Sequence, residues 1–373
     1  MKPIRVLEVI RQGQIGGGES HLLDLVTGFQ PDEVEPIILS FTGGHMIEEL
    51  QTRGVRCIVL ETQKAFDWKI QKQIQQIVRQ EGIDLIHAHG SRAASNMFAV
   101  ARRLHLPFVY TVHGWSFHQD QNKLVFALRA LSEKLICHYA HRVICVSSSN
   151  RQTGMDVFGL KQADVIENGI NLHTFNPNRS FTDIRQEFQI AENEFVVGFI
   201  ARMTLQKAPL DFVKSIVLAH KQNPLIKGLL VGEGDMKQEV YHYIQCNHLE
   251  ECFHLSDFRT DVPALLHAID VYCQPSLWEG LSIALLEAMA MKKPLVVTPT
   301  DGAREIIHHE QNGLIVDFHQ PELLAEAYLR YASQPNFMKQ CGENACQIVK
   351  ERFDGSRVAT EVRDIYRQVI MKQ

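Results

Sequence analysis

The feature that most narrows the fold is an alternation of short apolar runs with helical segments along almost the whole chain. Ile4–Ile10, Ile37–Ser40, Cys57–Leu60, Ile83–His87, Phe108–Val112 and Val143–Val146 read as strands. Lys69–Arg79, Ser91–Arg103 and Leu124–Tyr139 read as helices between them. After residue 180 the rhythm resumes, with strands at Phe195–Ala201, Leu229–Val231, Ile269–Cys273, Leu295–Thr298 and Leu314–Val316 and a helix at Glu322–Tyr331. Strands alternating with helices imply parallel sheets covered on both faces. In such sheets ligands sit at the carboxyl ends of strands. The chain has 373 residues, enough for two cores. Asn171–Ser180 is rich in Asn and Pro and reads as the linker between them. The expected layout is 1–172, 182–350 and a terminal segment 351–373, with helix from Asn336 to Gln373.

Composition excludes some classes. The net charge of −5 gives no electrostatic support to nucleic-acid binding. The eight Cys are scattered without a Cys-x-x-Cys pair and read as reduced core thiols, which suits a cytoplasmic protein. The first strand follows Met1 too closely for a signal peptide, and no run of about 18 apolar residues occurs.

The chemistry gathers at strand ends. The segment Glu279-Gly280-Leu281-Ser282-Ile283-Ala284-Leu285-Leu286-Glu287-Ala288-Met289-Ala290 follows a strand and reads as loop, then helix, starting near Leu281. A helix start presents free N–H groups and partial positive charge, so it attracts phosphate. Glu279 lies before that start and Glu287 about 9 Å beyond it, at about 1.5 Å per residue. A diphosphate at the helix start would then have one carboxylate on each side. This is the layout of a nucleotide-sugar: sugar, diphosphate, ribose. A surface position is the ordinary fate of a helical Glu, but this helix is apolar nearly all round and expected to be buried. Arg202 follows its strand directly and Lys207 comes five residues later, a strand-end position that favours a ligand role over a solvated surface charge. Gly16-Gly17-Gly18 opens a helix in the first half, with Glu19-Ser20 as its expected start, and is neither a dinucleotide fingerprint nor a Walker loop. His113 ends the fifth strand. His87-Ala88-His89 places two imidazoles on one strand face, but the sequence offers no evident third ligand for a metal. No Asp-x-Asp occurs. Trp115 and Phe117 belong either to the core or to an acceptor surface.

Together these stretches resemble the retaining GT-B glycosyltransferases of family 4, over roughly residues 4 to 350. The resemblance implies two doubly wound, Rossmann-like α/β domains facing across a cleft, the last helix crossing back onto the first. It implies transfer of a sugar from a nucleotide-sugar, UDP favoured over GDP, to a glycan or lipid-linked acceptor hydroxyl. By the resemblance Arg202 and Lys207 bind the diphosphate, and His113 and Glu279 meet the transferred sugar. Glu287 meets the ribose, while Gly16, Gly17, Gly280, Leu281, Ser282 and Ile283 line the donor. No metal and no cofactor are expected, and peripheral contact with the inner membrane face is left open. The pattern departs from the family at Ala201, Ala208, Ser256 and Thr300-Asp301-Gly302, where Gly is frequent. The alternatives are a sugar-nucleotide epimerase or hydrolase of the same fold, or a non-catalytic binder of sugar-nucleotides.

Overall fold

The computed structural model describes residues 2–14, 16–118 and 121–371. The chain forms two compact units, one of residues up to Gly169 together with those from Gly355, the other Ile170–Asp354. The expected linker therefore belongs to the second unit.

The first unit holds a seven-stranded sheet: β1 Ile4–Ile10, β2 Val34–Ser40, β3 Arg56–Val59, β4 Leu85–His89, β5 Phe108–Val112, β6 Arg142–Cys145 and β7 Asp164–Val165. Its order is β3-β2-β1-β4-β5-β6-β7, with every pair parallel. The second unit holds six parallel strands: β8 Phe195–Ile200, β9 Ile226–Val231, β10 Phe253–Ser256, β11 Val271–Gln274, β12 Leu295–Val297 and β13 Leu314–Ile315. Their order is β10-β9-β8-β11-β12-β13. The chain reverses its direction of progress between β1 and β4, and again between β8 and β11. Such switch points open a crevice beyond the strand ends, where ligands of this architecture bind.

Strand residues alternate between two cores in the first unit. Leu7, Ile86, Ala88, Phe108 and Tyr110 pack on one face. Val6, Leu85, Val109 and Ile144 pack on the other, against Val358, Val362, Ile365, Tyr366 and Val369 of the helix Ser356–Ile370. The expected continuous terminal helix is broken at residues 353–355 into Pro335–Arg352 and Ser356–Ile370. The first packs on the second unit, and the second belongs to the first unit. Strand β10, sequence Phe-His-Leu-Ser, escapes a reading by composition because it is short and half polar. Strand β4 runs two residues further than expected and ends on His89 rather than His87. Among the described residues, no helix is long and apolar enough to cross a membrane.

Candidate active site

In the second unit the loop after β8 is held from beneath by a second loop. Met203 N–H donates to the Glu233 carbonyl (2.8 Å) and Met236 N–H to the Met203 carbonyl (2.9 Å). Gly232 and Gly234 have φ of 146° and 156°. A Cβ on Gly232 would stand 2.0 Å from the Ala201 carbonyl oxygen, and one on Gly234 2.2 Å from that of Met203. Only glycine allows this approach. The packing fixes the backbone on both sides of Arg202, whose exposed guanidinium makes no hydrogen bond or ion pair among the described residues.

Lys207 ends a short 3-10 turn, Leu205–Lys207. Its ammonium pairs with the Glu279 carboxylate, both side chains being largely buried. Gln206 Nε2 donates to Glu279 Oε1 (3.2 Å) and to the Trp278 carbonyl (2.9 Å), and Leu277 N–H donates to the Gln206 carbonyl (2.8 Å). Two residues read as separate donor ligands are thus one ion pair, and Gln206, which the sequence reading passed over, clamps it. Ala208 has φ 47°. That is the left-handed region, where a Cβ costs about 1–2 kcal/mol, which accounts for the family's frequent Gly here. Ala208→Gly is expected to raise stability by up to about 1 kcal/mol, the strain relieved less the chain entropy of Gly. A lower midpoint of thermal unfolding would reject the strain.

The helix after β11 is Ile283–Ala290, with Ser282 as N-cap rather than a start at Leu281. Ser282 Oγ accepts from Leu285 N–H (3.4 Å) and donates to Gln274 Oε1 (2.9 Å). Six of the eight helix residues are buried, so this helix lies in the interior as its composition requires. Gly280 and Leu281 lie under the first turn of the helix Asp301–Ile306: a Cβ on Gly302 would stand 2.1 Å from the Gly280 carbonyl oxygen. Gly302 is the one glycine left in the place of the family's pair, and it is the one that the approach demands. Glu287 is half-buried and sits one turn past Ile283, about 6 Å along the axis. Behind this helix start, Tyr272 OH, Ser276 Oγ and Thr300 Oγ1 are buried without hydrogen-bond partners among the described residues. Burial holds the Tyr272 phenol well above its ordinary pKa, and the charges of Glu287 and Glu279 push it the same way. Tyr272 therefore stays a neutral donor.

In the first unit the Gly-rich loop ends at Gly16, the N-cap of helix Gly17–Gly28, which starts two residues earlier than expected. Gly18 faces the His113 ring, 3.6 Å from where its Cβ would be. His113 continues a hydrogen-bonded chain from the sheet interior. Its Nε2 lies 3.2 Å from His89 Nδ1, and His89 Nε2 lies 2.9 Å from Glu8 Oε2. Tyr366 OH donates to Glu8 Oε1 (2.7 Å) and meets His87 Nδ1 (2.6 Å), while His87 Nε2 meets Thr111 Oγ1 (2.7 Å). Burial opposes the charge on Glu8, but His87 and the His89 hydrogen bond outweigh it and hold its pKa far below the usual range. Burial, with neighbouring imidazoles, lowers His21 to about 3, His89 to about 4, and His113 well below its ordinary value. With Glu8 ionised and His89 and His113 neutral, the tautomers of these two imidazoles are fixed. His89 Nε2–H donates to Glu8, so its Nδ1 accepts from His113 Nε2–H, leaving His113 Nδ1 an acceptor.

The absence of a third metal ligand near His87 and His89 does not survive the fold. His21, His89 and His113 bring ligand atoms within 4.8 Å of one another, as do Glu8, His87 and His89. His21 Nε2 is buried with no partner among the described residues. A divalent ion in the three-imidazole set would have to break the His89–His113 bond.

Two doubly wound parallel sheets, with charged and glycine-rich loops at their switch points, make up a GT-B fold. The family model described as Glycosyltransferase Family 4 matches residues 15–174, and that described as Glycosyl transferases group 1 matches residues 180–347. The chain belongs to these glycosyltransferases. It is 24% identical over 314 residues to the Escherichia coli UDP-Gal:alpha-D-GlcNAc-diphosphoundecaprenol alpha-1,3-galactosyltransferase, covering 82% of this chain and 81% of that one. Among solved structures it is similar to Anabaena HepE in complex with UDP and glucose, with TM-score 0.86, 22% identity, and 98% and 100% of the two chains covered. It is also similar to sucrose-phosphate synthase of Thermosynechococcus elongatus, with TM-score 0.82, 19% identity, and 99% and 100% covered.

Proposed function

We propose that this glycosyltransferase moves a hexosyl group from a UDP-sugar to a hydroxyl of a glycan or lipid-linked acceptor, with retention at the anomeric carbon and without a metal ion. It would act in the cytoplasm, where nucleotide-sugars are supplied. The observation that carries the donor half is the Lys207–Glu279 pair, set beside a helix start and near an exposed, uncommitted Arg202. The UDP and UDP-glucose complexes of HepE support a UDP-sugar, and the diphosphoundecaprenol in the E. coli relative's name supports a lipid-linked acceptor. Retention rests on the family resemblance.

In this reading Arg202, Lys207 and the N–H groups at Ser282 and Ile283 meet the diphosphate. They offset the charge that grows on it as the anomeric C–O bond breaks. The acceptor oxygen bonds the anomeric carbon, and its proton leaves to the diphosphate or to water. Glu279, gripped by Lys207 and Gln206, orients the sugar and Glu287 holds the ribose, while the role of His113 toward the sugar rests on the family resemblance. Gly16 and Gly17 leave the donor room to approach.

The test is turnover of a panel of UDP- and GDP-sugars with and without a lipid-linked acceptor, with the product anomer read by NMR. Donor consumption that needs no acceptor would favour an epimerase or hydrolase, and binding without consumption a non-catalytic protein. Turnover is expected to survive EDTA, because cations of the chain face the diphosphate. Loss in EDTA with recovery in Mn²⁺ would overturn the metal-free site. Arg202→Ala should weaken UDP binding about 10- to 100-fold by calorimetry, the worth of one charge-assisted contact. Unchanged affinity would remove Arg202 from the site.

A further inference from the structure

His21 on the helix Gly17–Gly28, His89 at the end of β4 and His113 just after β5 each bring a ring nitrogen to one place, all within 4.8 Å of one another. His21 and His89 are 4% and 2% exposed. His113 is only half-buried, which leaves an ion a way in. A buried imidazole nitrogen ordinarily has a hydrogen-bond partner, because leaving it without one is costly. His21 Nε2 has none among the described residues. The catalytic reading gives His21 no task and leaves that nitrogen unexplained.

The set has the parts of a metal centre. Three imidazoles with a fourth position open form a ligand set that zinc uses. Zn–N bonds of about 2.0–2.1 Å place two corners of a tetrahedron about 3.3 Å apart. His89 Nδ1 and His113 Nε2 already stand 3.2 Å apart. Their hydrogen bond therefore holds the two nitrogens at coordination spacing, and an ion can take its place. His113 then carries its proton on Nδ1 instead of Nε2, with no net loss. The outer partner is in place as well, since His89 Nε2 lies 2.9 Å from Glu8 Oε2. A carboxylate behind a ligating imidazole fixes the ring and strengthens it as a ligand. The neighbouring set of Glu8, His87 and His89 is already committed. His87 spends both ring nitrogens on Tyr366 and Thr111, and Glu8 is held by Tyr366 and His89.

We propose that His21, His89 and His113 form a site for a transition-metal dication, Zn²⁺ first, with Glu8 as the carboxylate behind His89. Imidazole selects Zn²⁺ over Mg²⁺, which prefers oxygen ligands. The ion is an inhibitor here and takes no part in turnover. In the metal-free chain His113 Nδ1 is an acceptor; with Nε2 on the ion, Nδ1 carries the proton and donates. The group presented to a sugar is reversed in polarity. That consequence rests on the reading of His113 as a sugar contact, whereas the site itself does not.

Binding is tested without donor or acceptor. Purified full-length protein, stripped with EDTA and dialysed free of it, is titrated with Zn²⁺, Co²⁺ and Mg²⁺ by calorimetry. A single equivalent of Zn²⁺ is expected to bind and to raise the melting temperature, because it binds the folded chain. Mg²⁺ should do neither. Co²⁺ should give the strong visible absorption of a four-coordinate ion rather than the pale bands of the hydrated one. His21→Asn and His113→Asn should each weaken Zn²⁺ binding more than about 100-fold, beyond the 10- to 100-fold that loss of an outer partner costs. Should His21→Asn melt below the metal-free wild type, His113→Asn and the wild-type cobalt spectrum decide. Wild type that binds no Zn²⁺, or shows only hydrated Co²⁺, would overturn the site. So would Zn²⁺ binding that both variants keep and Cys246→Ser abolishes, since the exposed Cys246 Sγ lies 3.4 Å from His242 Nε2 and is a rival seat. Donor turnover should fall as Zn²⁺ fills the site and return with EDTA. Zinc-filled protein at full turnover would overturn the inhibition. Zinc binding intact in a chain without turnover would support the site and count against the transferase reading.

Discussion

Glu279→Gln is expected to lower kcat by about 10²- to 10³-fold, the usual effect of removing one preorganised polar contact at a reacting centre. Its affinity for free UDP should hold or rise. The reason is the pairing in the second unit: Lys207, which meets the diphosphate in the proposed complex, divides its charge with Glu279. With the carboxylate neutralised, the ammonium is freed for the diphosphate, while the sugar loses its orienting group. Glu287→Gln should do the opposite. Its contact with the ribose is similar in ground and transition states, so its loss raises donor KM with kcat little changed. Free UDP, which has a ribose but no transferred sugar, should bind more weakly to Glu287→Gln. Both variants must first melt like wild type, because Glu287 sits in a mostly buried helix. The reverse pattern, with Glu287→Gln losing kcat and Glu279→Gln losing UDP, would mean that the donor runs the other way along the helix.

Glu8→Ala is expected to destabilise the first unit by about 3–5 kcal/mol, leaving His87, His89 and Tyr366 without the carboxylate they share. For a unit of this size that is a fall of roughly 10 °C in its melting temperature. Tyr366→Phe removes one hydrogen bond to the same carboxylate and should cost about 1–2 kcal/mol. The cluster also sets a pH dependence. His21 and His89 are neutral in the folded protein, with pKa about 3 and about 4, against 6.5 when unfolded. Below pH 6.5 the unfolded chain binds more protons, so stability falls as pH falls. The slope is about 1.4 kcal/mol per pH unit for each imidazole, down to pH about 4. Glu8, with its pKa lowered, adds stability above 4.5 that is lost only at still lower pH. Calorimetry between pH 7.5 and 5 should therefore show a falling transition that flattens when His21 is replaced by Asn. A transition that stays level over that range would refute the neutral cluster.

Local chemistry was enough for much of the fold. Apolar runs bounded by glycine and proline marked most of the strands, and Pro209 opened its helix at the first position as its fixed φ favours. Ser282 capped the helix bearing Glu287, and the near-absence of polar residues there required burial. These are properties of neighbours in sequence, and propensity and periodicity act at that range. The site depended on more. Glu8, His89, His113 and Tyr366 come from four distant places and meet because β1 lies beside β4, β4 beside β5, and the last helix covers that sheet. No periodicity states which strands are neighbours. Lys207 and Glu279 are likewise joined by the adjacency of β8 and β11, which turned two expected phosphate and sugar ligands into one pair. In sequence Ala208 is only a departure from the family's frequent Gly, and the tertiary backbone, with φ 47°, supplies the reason that Gly is frequent there. The helix Lys123–Tyr139 was legible as a helix, but it is apolar on both sides. Only packing decided that Glu133 faces inward and that Leu124, Leu128, Leu131 and Leu135 face outward, because hydrophobicity sets a preference for burial and the tertiary fold decides which surface is covered.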